Sequence, residues 1–242
     1  MQDNILTGYR NTWESKPVLR AIYHRFYERV AAAAVPGETL EVGGGSGNLK
    51  SFLEGVVSTD IVASSWLDAV ADAQALPFRD GCFSNIVGVD IVHHIEAPLR
   101  FFEEAFRVLE PGGRIILVEP AITLMSSLFY RHFHPEPVDM RVDPFKQVEP
   151  DPDRKPFDAN QAIPTLLFRD CYDRFSATFP RHRLIELDWM SLFAYPLSGG
   201  FRPWSLIPLR LVGPLLDLEQ ALPHWMRKVM GFRMLIVLEK IA

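Results

Sequence analysis

The residues best suited to chemistry lie in Leu40-Glu-Val-Gly-Gly-Gly-Ser-Gly-Asn-Leu49, where a short apolar run meets an acid and then Gly43, Gly44, Gly45 and Gly47. Glycine accepts positive φ and lets a ligand touch main chain with no Cβ in the way. Placed after a strand, such a loop binds a nucleotide-like ligand at the carboxyl edge of a parallel sheet. Spacing then restricts the ligand. The dinucleotide fingerprint needs glycine at its first, third and sixth positions, and counting from Gly43 the sixth is Asn48. No Gly-Lys-Ser/Thr follows, which removes the phosphate-cradling P-loop. What remains is Glu41-x-Gly43-x-Gly45-x-Gly47; taken alone, it also fits a flexible turn that holds nothing.

Other chemistry-bearing residues stand at the ends of apolar runs. Asp60 follows Val56–Thr59, Asp90 and Ile91 close Ser84–Asp90, and Glu119 closes Arg114–Val118. Asp72 opens Asp72-Ala-Gln-Ala-Leu-Pro-Phe78, and His93-His94 follows Asp90. Histidine titrates near neutrality and can take a proton from an acceptor. His94 is the favoured pocket-facing member, with His93 packed behind it, and Glu119 would orient an acceptor hydroxyl or amine. A hydrogen-bonded structural histidine remains the alternative. His132-Phe-His134-Pro-Glu136-Pro-Val-Asp139 carries zinc-compatible side chains, but its prolines favour an irregular lid over a metal site. No metal is expected there or at Cys82 and Cys171.

These residues need elements to position them. Leu19, Ile22, Tyr23, Phe26, Tyr27 and Val30 fall at helical spacing over 16–34, before the breakers Pro36-Gly37. Strands are expected at 39–43, 56–59, 67–71, 84–90, 114–118, 183–190 and 232–239, with helices after the glycine loop to about Glu54 and over 98–109. The stretch from Asp60 to Leu67 is short for a crossover helix, since parallel strands need about a dozen connecting residues. It reads best as a connection reduced to a turn, the alternative being a helix over 64–71 with a third strand of only a few residues; Trp66 is either a platform for a bound ligand or a core or surface-packing residue. Residues 121–180 lose the alternation and are rich in proline, as befits a partly helical lid. Tyr9, Trp13 and Tyr23 are candidates to cap the pocket, with core packing the safer reading of Tyr23.

Of 242 residues, 48% are hydrophobic, ample for a core. A net charge of −5 speaks against a nucleic-acid partner. No run reaches the roughly 18–20 apolar residues of a spanning helix. The Trp, Leu and Arg residues of 201–228 suit a helical cover on the sheet or in a homodimer, with peripheral membrane contact as the alternative. Few cysteines and no leader at Met1-Gln-Asp-Asn point to the cytoplasm.

Four landmarks stand in order: Glu41…Gly47, Asp60, Asp72-Ala-Gln-Ala-Leu-Pro-Phe78 and Arg107-Val-Leu-Glu-Pro-Gly-Gly-Arg114. Together they resemble the small-molecule class I S-adenosylmethionine (SAM)-dependent methyltransferases over about residues 38–120. The resemblance implies a Rossmann-like α/β fold: a seven-stranded, mostly parallel sheet with helices on both faces, and a lid or cover inserted after strand five and before strand seven. It implies SAM as cofactor, with Gly43, Gly44, Gly45 and Gly47 at its methionine end and Glu41 holding the loop. Asp60 would accept both ribose hydroxyls, Asp72 the adenine amino group and the Ala73 amide a ring nitrogen, with Asp90 and Ile91 under the sulfonium. The chain then divides into a helical cap (1–36), a cofactor core (37–120), a lid (121–180) and C-terminal strands with a hydrophobic cover (181–242). The expected activity is methyl transfer to an O, N or C nucleophile of a small, hydrophobic acceptor. The alternative is a SAM-binding protein that transfers no methyl group.

Overall fold

The structure is a computed structural model that describes residues 3–133, 136–146 and 153–241. Its centre is one seven-stranded sheet in the order β3-β2-β1-β4-β5-β7-β6. The strands are β1 (Thr39–Val42), β2 (Val56–Asp60), β3 (Ala69–Val70), β4 (Phe83–Val89), β5 (Leu109–Pro120), β6 (His182–Met190) and β7 (Arg233–Lys240). All neighbours are parallel except β7, which runs antiparallel to both β5 and β6. The mostly parallel Rossmann-like sheet is therefore present, with its antiparallel strands towards the C-terminal end of the chain.

Successive residues of a strand face opposite sides, and β5 supplies both layers. Ile116 and Val118 pack with helix α2 (Pro17–Ala33), whose Leu19, Ile22, Phe26 and Val30 form one buried stripe. Ile115 and Leu117 pack on the other face with Phe101, Phe102 and Ala105 of α3 (Pro98–Val108). Burial on both faces explains why β4 and β5 read as continuous apolar runs rather than alternating ones. Pro17 and Pro98 each sit in the first helical turn, where the missing N–H costs nothing.

Three local differences from the sequence reading bear on the site. A helix α1 (Asp3–Ser15) precedes α2 and brings Leu6 and Tyr9 to the pocket. Only one 3-10 turn, Leu49–Ser51, follows the glycine loop, where a helix to Glu54 was expected, because β2 begins a few residues later. No helix joins β2 to β3, as the short connection requires. There, β3 shrinks to two residues, and the Asp68 carboxylate, not a strand partner, accepts the Ser58 N–H at 2.7 Å.

The segment 121–180 is partly helical: α4 (Leu124–Phe133), then α5 (Ile163–Thr165) running into a π-helical turn at Leu166–Asp170, then α6 (Tyr172–Thr178). Between β6 and β7 lie α7 (Ala194–Ser198), α8 (Leu209–Ala221) and α9 (His224–Met230). Val212 and Leu216 of α8 are buried with the α2 face of the sheet, the cover expected for this segment, while Leu206, Leu209 and Trp225 remain exposed. No described helix is long and apolar enough to cross a membrane.

Candidate active site

The carboxyl ends of β1, β2 and β4 open into one cavity of about 660 Å³, roofed by α1, α7 and the lid. Of the residues expected to hold a cofactor, Glu41, Gly43, Gly44, Gly45, Asp60, Asp72, Ala73, Asp90 and Ile91 all line it. Gly43, Gly45 and Gly47 have φ of 66°, 49° and 74°. A Cβ on Gly45 would meet nothing nearer than the Gly43 carbonyl at 3.8 Å and would intrude on the cavity. Gly47 serves another purpose. It is absent from the cavity wall, and a Cβ there would stand 2.7 Å from Trp66 Cδ1.

Trp66 sits behind the loop rather than in the cavity. Its Nε1–H donates to the Gly45 carbonyl at 2.8 Å, and the Arg10 guanidinium lies 4.6 Å from its ring centroid. The platform reading of Trp66 is thus corrected: the indole is used up bracing the loop. Ile61, directly after Asp60 and half-exposed into the cavity, offers the apolar face in its place. The signal was the position itself, the residue following the acid that ends β2.

Asp60 is nearly buried, and each of its oxygens accepts one backbone N–H: Oδ2 from Gly45 at 3.1 Å, Oδ1 from Val62 at 3.0 Å. A carboxylate has about four lone-pair sites, so two remain for a ligand. Asp72 Oδ1 accepts the Gln74 N–H at 2.8 Å, which fixes its turn. Glu41 does not bond the loop amides. It accepts the Ser58 hydroxyl, and burial pushes its carboxyl up to about 7 against the opposing pull of that bond.

At the end of β4, Asp90 has φ of 56°, an uncommon conformation for a residue with a side chain, though one that Asp enters more readily than most. Three partners hold it. Tyr23 Oη–H donates to Oδ2 at 2.7 Å, Asp90 N–H donates to the Val118 carbonyl at 2.8 Å, and Arg233 Nε lies 3.0 Å from Oδ1. Arg233 is itself buried, stacks over the Tyr195 ring at 4.3 Å and donates from Nη1 to Tyr130 Oη at 2.6 Å. Burial alone would lower its pKa, but Asp90 and the facing tyrosines outweigh that and hold it above its ordinary value. Sequence reasoning missed Arg233 and Tyr195. The one signal was an arginine opening the apolar run Met234–Leu238.

Glu119 is fully buried and does not reach the cavity, which corrects its expected place beside an acceptor. Its Oε1 accepts the N–H groups of Ile91 and Val92 at 2.9 and 2.7 Å, and its Oε2 lies 2.8 Å from His93 Nδ1. It positions the loop after β4 and one face of the imidazole. Burial raises the Glu119 pKa and lowers that of His93, so the imidazole is neutral near pH 7. His93 and His94 both line the cavity, their ring centroids 4.2 Å apart, so His93 is not simply packed behind its neighbour.

From segment 121–180, Phe129, Phe133, Glu136, Phe157 and Gln161 line the cavity, and Phe201 and Trp204 add to its wall. Tyr9 and Tyr23 line the cavity, whereas Trp13 packs edge-on against Tyr23 and Tyr27. The Lys16 ammonium donates to the carbonyls of Ser198, Gly200, Arg202 and Trp204 at 2.5–3.0 Å, tying this wall to the N-terminal helices. Of the lid motif's described zinc-compatible side chains, His132 is exposed, Asp139 pairs with Arg141 and Glu136 lines the cavity; His134 lies outside the described residues.

Residues 40–117 match the family model of the methyltransferase domain. Norajmaline N-methyltransferase of Rauvolfia serpentina is 24% identical over 120 residues, 50% of this chain but only 36% of that protein. A SAM-dependent methyltransferase of Thermotoga maritima superposes with a TM-score of 0.61 at 15% identity, covering 98% of this chain and 97% of its own. A methyltransferase-like protein of Bacillus halodurans gives 0.51 at 18% identity, over 90% of this chain and 98% of its own. At these identities the two structures show a shared fold. The ordered motifs, the strand order and the matched segment agree: residues 40–117 are similar to the methyltransferase domain and lie in a Rossmann-like methyltransferase fold.

Proposed function

We propose that the chain transfers a methyl group from SAM to a small, largely apolar acceptor held under the lid. The observation that carries this reading is the continuity of one cavity from the glycine loop to the aromatic wall of Phe129, Phe133, Phe157 and Phe201. The cofactor end fits the ligand chemically. The open space over Gly45 suits main-chain contact, Asp60 has two acceptor sites to spare for a cis-diol, and Ile61 offers an apolar face to adenine. Asp72 and the Ala73 amide, whose residues line the same cavity, would read the adenine edge.

When bound, SAM supplies an activated methyl group on sulfur. The protein's part is orientation, which is worth several kcal/mol when reacting atoms are held in line. Asp90 and Ile91, which line the cavity at the end of β4, would lie under the sulfonium, with Asp90 held by its three partners. The lid excludes water, and the phenyl rings favour an acceptor with a substantial apolar surface.

Calorimetric titration with SAM and S-adenosylhomocysteine tests the cofactor site, and release of S-adenosylhomocysteine across a panel of apolar phenols, amines and polyprenyl or terpenoid alcohols tests the transfer. Binding with turnover on such an acceptor supports the proposal. Binding without turnover across the panel favours a SAM-binding protein that transfers nothing. No binding of either ligand removes both readings.

A further inference from the structure

At the acceptor end of the cavity, three side chains from distant parts of the chain converge. His93 and His94 come from the 3-10 turn Val92–His94 after β4, and Glu136 comes from the lid. One ligand atom from each lies within 4.8 Å of the other two, and no other group of three or more His, Cys, Asp or Glu is so placed among the described residues. We propose that His93, His94 and Glu136 bind a divalent transition-metal ion with positions left open to the cavity.

Geometry favours a metal over a chance meeting. Ligands at 2.0–2.2 Å from a tetrahedral ion stand roughly 3.4 Å from one another. His93 Nε2 and Glu136 Oε2 are already 3.6 Å apart. All three ligand atoms lie within 4.8 Å of one another, and Glu136 is partly exposed. His94 contributes a buried Nδ1 that has no hydrogen-bond partner.

The surroundings match a metal's outer shell. Ligating imidazoles are held by a carboxylate on their other nitrogen, and His93 Nδ1 meets Glu119 Oε2 at 2.8 Å, which leaves Nε2 directed at Glu136. Gln161 Nε2 donates to Glu136 Oε2, and the Asn160 N–H donates to the His93 carbonyl at 2.8 Å, so the lid is tied to the turn that carries the histidines.

Two imidazoles and one carboxylate select the ion. Imidazole suits zinc, iron, nickel and copper, whereas magnesium and calcium prefer all-oxygen sites. Three protein ligands leave at least one position for water or substrate, the pattern of catalytic rather than structural sites. The site therefore takes an acceptor bearing an oxygen donor, whose hydroxyl pKa falls on coordination, the proton passing to solvent. This replaces the general-base role expected of His94. The acceptor role rests on the methyltransferase reading; the metal site does not.

The test uses tag-free full-length protein stripped with a chelator and desalted. Zn²⁺ is titrated calorimetrically and Co²⁺ by visible absorbance, on wild type, His94→Ala and Glu136→Gln, with S-adenosylhomocysteine affinity measured alongside. One ion per chain, weakened at least tenfold in each variant while S-adenosylhomocysteine affinity holds, supports the site. No stoichiometric binding by wild type, or binding unchanged in both variants, overturns it. Wild type that binds Zn²⁺ stoichiometrically but not S-adenosylhomocysteine keeps the metal site and removes the methyltransferase reading.

Discussion

Replacing Asp60 by alanine is the sharpest test of the cofactor site. The carboxylate already accepts Gly45 and Val62 N–H groups at 3.1 and 3.0 Å, which fixes its plane and leaves one lone pair on each oxygen towards the cavity. Hydrogen bonds to a charged acceptor contribute about 1.5–3 kcal/mol each. Two bonds to a ribose diol, discounted because water can refill the space left by alanine, give about 3 kcal/mol. That corresponds to roughly 100-fold weaker binding of SAM. Asp60→Asn keeps the shape but turns an amide NH₂ towards a backbone N–H and spoils one acceptor, so about a tenfold loss is expected. Calorimetric titration of the three proteins reads both numbers, with circular dichroism to show that each is folded. Binding by Asp60→Ala within threefold of wild type would refute the assignment, because no arrangement using the diol could survive that loss.

Three further outcomes follow from the same geometry. Arg233→Met leaves Asp90, which is partly exposed to the cavity and bonded to Tyr23, without its cation; a hydrogen-bonded contact to a charged group contributes about 1.5–3 kcal/mol, read as a drop in chemical-denaturation stability, and a loss under about 1 kcal/mol would contradict it. Glu41 titrates near 7 when folded against 4.5 as a free side chain. The native state therefore holds an extra proton between those values, and its contribution to stability is intact below about pH 4.5 and falls by about 3 kcal/mol as pH rises through 7. Glu41→Gln should flatten that part of the Tm-against-pH curve, and parallel curves for the two proteins would refute it. Lys16→Met removes the ammonium shared by four carbonyls of 198–204; faster hydrogen exchange in that segment is expected, with S-adenosylhomocysteine affinity changed less than acceptor KM, and unchanged exchange would argue against the tie.

Much of the cofactor half was legible in the sequence because its signals are local. A glycine is needed where φ is positive, an acid ends a buried strand, and apolar periodicity marks the strand or helix that carries both. Gly43, Gly45, Asp60 and Asp72 share one cavity because parallel strands deliver their ends to one edge. The missing helix after Asp60 was likewise implied by chain length alone. Local rules left Trp66 open between a ligand platform and a packing residue. Its ring N–H found the Gly45 carbonyl, a contact that no spacing reveals.

The sequence by itself determined the seven strands, the helices α2 and α3, the glycine loop, and the acids Asp60 and Asp72 that end β2 and follow β3. Only the tertiary structure decided that Glu119 lies behind His93 and not in the cavity, that Arg233 from the last strand neutralises Asp90, and that Glu136 from the lid meets His93 and His94. The physical reason is range. Backbone conformation and amphipathic burial act between near neighbours in the chain, so they leave a readable period. Charge pairing, ligand convergence and close approach act through space between segments that the fold alone brings together.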